Sequence, residues 1–197
     1  MHPARDDPAV AVVDVAVRRP REPLMVRWVP AYVALGSNLD GPERQIEIAL
    51  TRLAGIPRTR HVLSSALYSS RPMGPQNQPA FVNAAAGMLT QLSARELLAE
   101  FQRIEQAMGR VAPPVRWGPR RIDLDLLIYD ELRMQDPGLT LPHPGIHERN
   151  FVLYPLADIA PALLIPGRGT VAELARQLGP AGLEPLVRGS VSPRGEG

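Results

Sequence analysis

Asp123 and Asp125 stand one residue apart in the stretch RWGPRRIDLDLLIYD, directly after Arg116, Trp117, Arg120 and Arg121. Side chains alternate faces along an extended segment, so this spacing puts both carboxylates on one face and Leu124, Leu126 and Ile128 on the other. Two like charges held that close need solvent, protonation, arginine or a divalent cation beside them. Only the last two connect the pair to the arginines in front of it. Arginine's planar fork matches phosphate oxygens, and magnesium binds through one or two carboxylates plus substrate phosphates, so together they describe a magnesium–polyphosphate site. A strand face kept soluble by charge is the competing explanation, and this stretch alone does not choose between them.

Other residues extend the chemistry. The loop GRVAPPVRWGPRR gathers Arg110, Arg116, Trp117, Arg120 and Arg121, a density of cations that favours an anion-binding surface over a solvated turn. His143 sits between prolines in LPHPGIHERNF, on a stiff loop from which imidazole can reach a phosphate oxygen; His147, Arg149 and Phe151 follow. The HPGIH spacing also allows a metal-ligand pair, which no thiolate supports. In AFVNAAAG, Phe81 and Asn83 share a strand face, a ring and an amide that suit a planar heterocycle, or equally a core phenylalanine and a turn-facing asparagine. Glu105 lies four residues after Phe101, near an apolar helix stripe, where an acid needs a partner such as Arg110. Gly36, Ser37 and Asn38 end the first strand, as a ligand-binding nest or as a plain turn.

Composition narrows the possibilities. At 197 residues, with 45% hydrophobic and 21% charged, the chain suits one soluble globular domain. There is no cysteine, which excludes disulfides, thiolate metal sites and cysteine nucleophiles. All 22 basic residues are arginine, so neither a lysine Schiff base nor a glycine–lysine phosphate loop can operate. Any phosphate must be held by arginine. A net charge of +2 does not by itself imply nucleic acid. No apolar run approaches a membrane span and the first residues lack a signal-peptide pattern, so a cytoplasmic location is expected.

The positioning elements follow from periodicity. AYVALG reads as a strand, and GPERQIEIALTRL as a helix opened by Pro42 with Ile46, Ala49, Leu50 and Leu53 on one face. HVLSSALY and AFVNAAAGML are two more strands, joined by the shaped loop SSRPMGPQNQP. Ser93 and Glu96 form a capping box before a helix whose stripe is Leu97, Phe101, Ile104 and Met108, and the aspartate strand follows. This βαββαβ order predicts an α+β, ferredoxin-like sandwich, an antiparallel sheet with helices packed on it. A short strand, a proline-rich loop and a helix should come next, then a C-terminal helix from Thr170 helped by Glu173. Residues 1–29 read as an extension, 30–186 as the domain and 187–197 as a flexible tail.

Taken in order, YVALGSNL, SRPMGPQNQPAFVNAAA, RIEQAMGRV, RWGPRRIDLDLLIYD and LPHPGIHERNFVLYPL resemble the 6-hydroxymethyl-7,8-dihydropterin pyrophosphokinase family of folate biosynthesis, over roughly Ala31 to Pro166. The resemblance implies that Asp123 and Asp125 hold two Mg2+ ions bridging ATP phosphates, with Arg110 and Arg120 completing the catalytic set. It implies a pterin pocket of Ser70, Met73, Phe81, Asn83 and Phe151, where Phe81 stands in place of a common tyrosine. Glu105, Arg116, Trp117, Leu126, His143 and Arg149, with Arg110 and Arg120, match ATP or phosphate positions. Ala112 replaces a frequent arginine and Pro144 a frequent tyrosine. The implied reaction is attack of the pterin hydroxymethyl oxygen on the β-phosphorus of ATP, releasing AMP, by a monomer that needs neither nucleic acid nor membrane. Asp123 is the candidate base. An RNA-binding sheet and a different metal-dependent nucleotidyl transferase are the rival readings.

Overall fold

The alternating AYVALG run forms the central strand β1 (Val29–Ser37), with Ala31, Val33 and Leu35 buried on one face. Pro42, whose missing N–H is no loss in a first turn, opens α1 (Pro42–Ala54), and Ile46, Ala49 and Leu53 are its buried stripe. The structure, a computed structural model, describes residues 27–110 and 117–186. Most of the expected extension at 1–29, the tail at 187–197, Ala112 and Arg116 lie outside the described residues.

The run expected as one strand, HVLSSALY, divides into β2 (Thr59–Ser64) and β3 (Leu67–Ser70), both paired antiparallel with β4 (Phe81–Thr90). Ser65 causes the break. Its Oγ accepts the Ala85 N–H at 2.9 Å, taking a place that a backbone carbonyl would hold in a continuous ladder. In α2 (Ala94–Ala107) the capping box forms as expected: Ser93 Oγ accepts the Glu96 N–H and the Glu96 carboxylate accepts the Ser93 N–H. Leu97, Phe101, Ile104 and Met108 are all buried.

The aspartate run is β5 (Asp123–Tyr129), antiparallel to β1. Val33 faces Leu126 but Tyr32 faces Ile128, so Leu127 is an extra residue on β5. This bulge corrects the expected alternation: Leu124 and Leu126 pack under α1 and α2, while Leu127 and Ile128 pack into the opposite cluster.

Beyond it come the hairpin β6 (Met134–Asp136) and β7 (Leu139–Leu141), a 3-10 turn at Ile146–Glu148 and α3 (Asn150–Ile159). The hairpin β8 (Leu164–Ile165) and β9 (Gly169–Thr170) leads to α4 (Val171–Leu178), begun by a Thr170–Glu173 capping box. Last is β10 (Leu183–Leu186), which pairs with β3; nothing in LEPL marks it as a strand in advance. The sheet runs β10-β3-β4-β1-β5 with β2 also beside β4. One apolar cluster packs α1 and α2 on one face, and a second packs α3 and α4 on the other. Among the described residues no helix is long and apolar enough to cross a membrane.

Phe101 is fully buried in the first cluster. Phe101→Ala should cost about 3–5 kcal/mol in urea denaturation, the range for truncating a core aromatic. A loss below about 1 kcal/mol would show that α2 does not share a continuous core with the sheet.

Candidate active site

The sheet register assembles the site. Tyr68 pairs with Asn83, Asn83 with Gly36, and Gly36 with Asp123, so one row across four strands carries an amide, a gap and an acid. In the next row on the same face, Ala34 lies between Ala85 and Asp125. Glycine and alanine at the centre leave a floor. Above it lies a cavity of about 280 Å³, with the carboxylates at one end and Asn83, Ser70, Phe81, Met73 and Phe151 at the other.

The two acids are unequal. Asp123 accepts from Arg110 on Oδ1 at 2.8 Å and from Arg120 on Oδ2 at 2.7 Å. Among the described residues no guanidinium is in ion-pair contact with Asp125; the His143 Nε2 lies 4.0 Å from its Oδ2. Burial, and then the Asp123 charge, raise the Asp125 carboxyl above its ordinary range, against weaker lowering by His143, Arg149 and Arg110. Burial in turn lowers the His143 imidazole, with Arg149 acting in the same sense, so the ring favours its neutral form. The pair therefore presents a partly neutralised acid beside a less compensated one, which suits an incoming cation. Each carboxylate oxygen has two lone pairs, so Asp123 can keep its arginines and still ligate.

Glu105 lies behind this wall rather than on it. Only 5% exposed, it accepts the Leu124 N–H at 2.7 Å and ion-pairs with Arg110. It thus holds both the backbone between the two aspartates and the guanidinium that faces Asp123. Burial pushes its carboxyl up to about 6, outweighing the lowering from the Leu124 N–H and Arg110.

At the other end, Asn83 is committed on its nitrogen, donating to Ser70 Oγ at 2.9 Å and Tyr68 O at 3.3 Å. Its Oδ1 has no donor among the described residues and lies 3.8 Å from where a Cβ on Gly36 would stand. That oxygen can read a donor edge on a flat ligand. Phe81 comes from the start of β4 and Phe151 from the first turn of α3, so the two rings approach the cavity from different layers. Arg149 also lines it, its guanidinium folded so closely over Gly145 that an added Cβ would sit 2.7 Å from Nε.

A second cavity of about 300 Å³ shares Asp125 and His143 with the first and continues along Leu98, Leu126, Leu139, Thr140 and Pro144. Of the expected site residues, the first cavity brings together Ser70, Met73, Phe81, Asn83, Arg110, Trp117, Arg120, Asp123, Asp125, His143, Arg149 and Phe151. Leu126 belongs to the second, Glu105 stands behind, and Arg116 is outside the described residues. Leu98, Leu139 and Thr140 were not legible in the sequence, where they look like ordinary core and loop residues. His147 faces Glu148 at 3.2 Å and lines neither cavity.

Comparison with known proteins adds to this geometry. The profile of the family described as 7,8-dihydro-6-hydroxymethylpterin-pyrophosphokinase (HPPK) matches residues 32–161. The chain is 45% identical over 149 residues to the 2-amino-4-hydroxy-6-hydroxymethyldihydropteridine pyrophosphokinase of Haemophilus influenzae, covering 76% of this chain and 92% of that one. Its counterpart from Pseudomonas aeruginosa is 46% identical over 155 residues, covering 79% and 95%. Among solved structures, wild-type Plasmodium falciparum HPPK-DHPS with pteroate aligns with a TM-score of 0.61 at 14% identity. That match covers 77% of this chain and 42% of the other, so the chain spans less than half of that protein, and the likeness concerns the fold alone.

The Glu105 environment has a measurable pH signature. Its folded value of about 6 lies above the ordinary 4.5, so the contribution to stability is complete below pH 4.5 and is lost as pH rises through 6. Between pH 4.5 and 7 the parent should lose about 2 kcal/mol that Glu105→Gln does not lose. Parallel stability profiles for the two proteins in urea would refute the assignment.

Proposed function

The chain belongs to the 7,8-dihydro-6-hydroxymethylpterin-pyrophosphokinase family and transfers diphosphate from ATP to the hydroxymethyl group of the pterin in folate biosynthesis, and we propose that the walls of its cavities divide this work between them. The observation that carries the division is the strand row in which Gly36 separates Asn83 from Asp123. A pterin lies over Gly36 between Phe81 and Phe151, Asn83 Oδ1 accepts from its donor edge, and its hydroxymethyl arm points to the carboxylates. The base of ATP occupies the second cavity against Leu126 and Thr140, where Pro144 offers a smaller surface than the tyrosine common in the family. The phosphates then pass His143 and Asp125 toward Arg110, Arg120 and Arg149, with Trp117 beside them.

Magnesium fits this donor set. Asp123 and Asp125 share one strand face, and no group of three or more His, Asp or Glu side chains suited to a metal occurs among the described residues, so phosphate oxygens and water must complete any coordination. Two Mg2+ ions held by the pair would neutralise charge on the phosphate oxygens around the β-phosphorus. The arginines hold the transferred diphosphate in line with the leaving AMP oxygen, and the ring plates aim the hydroxymethyl oxygen at the β-phosphorus. Asp123, with both oxygens accepting from guanidiniums, makes a poor base. In a loose transition state the hydroxyl proton leaves late and no strong base is required.

Further features support the same reading. With β2 and β3 counted as halves of one strand, the core order is that of a ferredoxin-like sheet, to which α3, α4 and β10 are additions. Helices pack on both sheet faces, and the part of the sheet left open is the floor of a bounded cavity rather than a broad face for stacking single-stranded RNA. Residues 30–186 then form the catalytic unit of a cytoplasmic monomer.

The reaction is tested by its nucleotide product. With the reduced hydroxymethylpterin, ATP and magnesium, chromatography should show AMP, formed only when the pterin is present. ADP as the main product, or equal AMP without pterin, would exclude the reaction. The metal assignment has its own test. Asp125→Asn should lower turnover by on the order of 10²-fold or more while pterin affinity stays within about threefold. Near-parental turnover at limiting magnesium would remove Asp125 from the metal site.

A further inference from the structure

The two aromatic plates come from separate layers, Phe81 from the sheet and Phe151 from α3, so the gap between them has to be fixed by a third element. On the sheet side the register is continuous: Phe81 pairs with Ser70 and Ser70 with Leu183, one row across β4, β3 and β10. The same edge meets the turn before β10, where the Arg71 N–H donates to the Gly182 carbonyl at 3.4 Å. On the helix side stands Asn150, the first residue of α3 and the chain neighbour of Phe151. Its Nδ2 donates to the Gly179 carbonyl at 3.1 Å and to the Ala181 carbonyl at 3.0 Å, both in that turn. Residues 179–183 are therefore a strap with one plate attached at each end.

The strap is shaped locally. Gly179 and Gly182 both hold φ at 71°, a conformation that side chains with a Cβ disfavour, and the Leu183 N–H closes the turn on the Pro180 carbonyl at 2.9 Å. One amide nitrogen carries two hydrogens, so Asn150 serves both carbonyls with a single group. The far end of α3 has its own tie to β3: Asp158 accepts the Tyr68 hydroxyl at 2.9 Å and the Ala66 N–H at 3.1 Å. A helix pinned at its far end can still swing at its near end, and there Asn150 grips the strap. Arg149, one residue earlier, leans on a different support. Its guanidinium lies against Gly145, whose N–H donates to His143 Nδ1 at 3.2 Å, and the His143 N–H donates to the Leu127 carbonyl of β5 at 2.8 Å. Neighbouring residues on the phosphate and pterin sides are thus anchored to opposite edges of the sheet.

We propose that Asn150 is a positioning residue that sets the separation of the Phe81 and Phe151 rings through the C-terminal turn, a role that rests on the pyrophosphokinase reading of the site. Asn150 itself does not line the cavity. A flat ligand gains from two rings only when both touch it, and a slot wider by about 1 Å forfeits up to roughly half of the dispersion attraction on one face. That loss is the same in the bound substrate and in the transition state, so it raises KM for the pterin and leaves kcat alone.

The test is steady-state AMP formation by the full chain, with 6-hydroxymethyl-7,8-dihydropterin and magnesium–ATP varied separately. In Asn150→Ala the KM for the pterin should rise about tenfold, while kcat and the KM for ATP stay within about threefold of the parent. Gly182→Ala strains the turn without touching α3, since its Cβ would meet only the Arg71 Cδ at 3.9 Å, and it should raise the pterin KM in the same direction. Because both changes cut one strap, the double variant should exceed the larger single effect by less than about twofold. An unchanged pterin KM in either single variant, or effects that multiply in the double, would overturn the proposal while leaving the parent's reaction intact. So would a decline of kcat and both KM values together with a lowered Tm, which marks a purely structural role. A parent that forms no AMP with the pterin would overturn the pyrophosphokinase reading and this proposal with it.

Discussion

Two carboxylates on one strand face raise each other's free energy, and the rest of the site is arranged around that repulsion. Asp123 is relieved by two guanidiniums, whereas Asp125, part-exposed, has the His143 imidazole as its nearest basic partner among the described residues. Equal relief of both acids would leave little attraction for a cation, whereas no relief would protonate one of them and remove its charge. The asymmetry falls between these limits. Glu105 maintains it from behind, because the carboxylate that accepts the Leu124 N–H also holds Arg110 toward Asp123. A buried acid is a costly support, as its raised value of about 6 shows. It joins the strand carrying the pair to the arginine that relieves it.

Distance along the sheet is the second constraint. Neighbouring strands are about 4.8 Å apart, so Asn83 and Asp123, with β1 between them, are separated by roughly 10 Å. That is about the span of a bicyclic heterocycle with a one-carbon arm. The separation is usable only because β1 presents Gly36 and Ala34 to the cavity; a leucine at either place would fill the floor. The bulge at Leu127 serves the same strand from the other end. It lets β5 show acids to the cavity at its start and bury aliphatic residues on that face further along.

Much of this was legible in the sequence for a physical reason. Asp123, Asp125, Phe81, Asn83 and the arginines carry chemistry whose meaning depends on local spacing, and strand alternation is a local rule. The capping boxes of α2 and α4 were readable on the same ground. What stayed hidden depends on register between distant segments. Leu98 and Leu139 become cavity walls only through tertiary packing, and the Leu127 bulge reverses Ile128 without any mark in DLDLLIY. The strand β10 exists because β3 has an open edge, not because LEPL favours one. Asn38 looked like a turn residue. Its role lies in partners 40 to 82 positions away, which no local pattern reveals.

The chemistry also explains why the loops carrying Pro79 and Trp117 are joined through the amides of Asn38 and Gln78 rather than by ion pairs. In the proposed reading, a polyphosphate brings several negative charges into a site rich in arginine. If the loop carrying Trp117 and Arg120 were held only by salt bridges, the substrate would compete for the same guanidiniums and loosen the wall as it bound. The ion pair between Arg121 and Asp40 belongs to that class, but it is about half exposed and therefore contributes little. Hydrogen bonds between Asn38, Gln78 and backbone carbonyls are indifferent to the arriving charge. They keep the backbone beneath Arg120 in place whatever charge arrives. Charge does the binding, and neutral polar contacts keep the geometry in which charge can act.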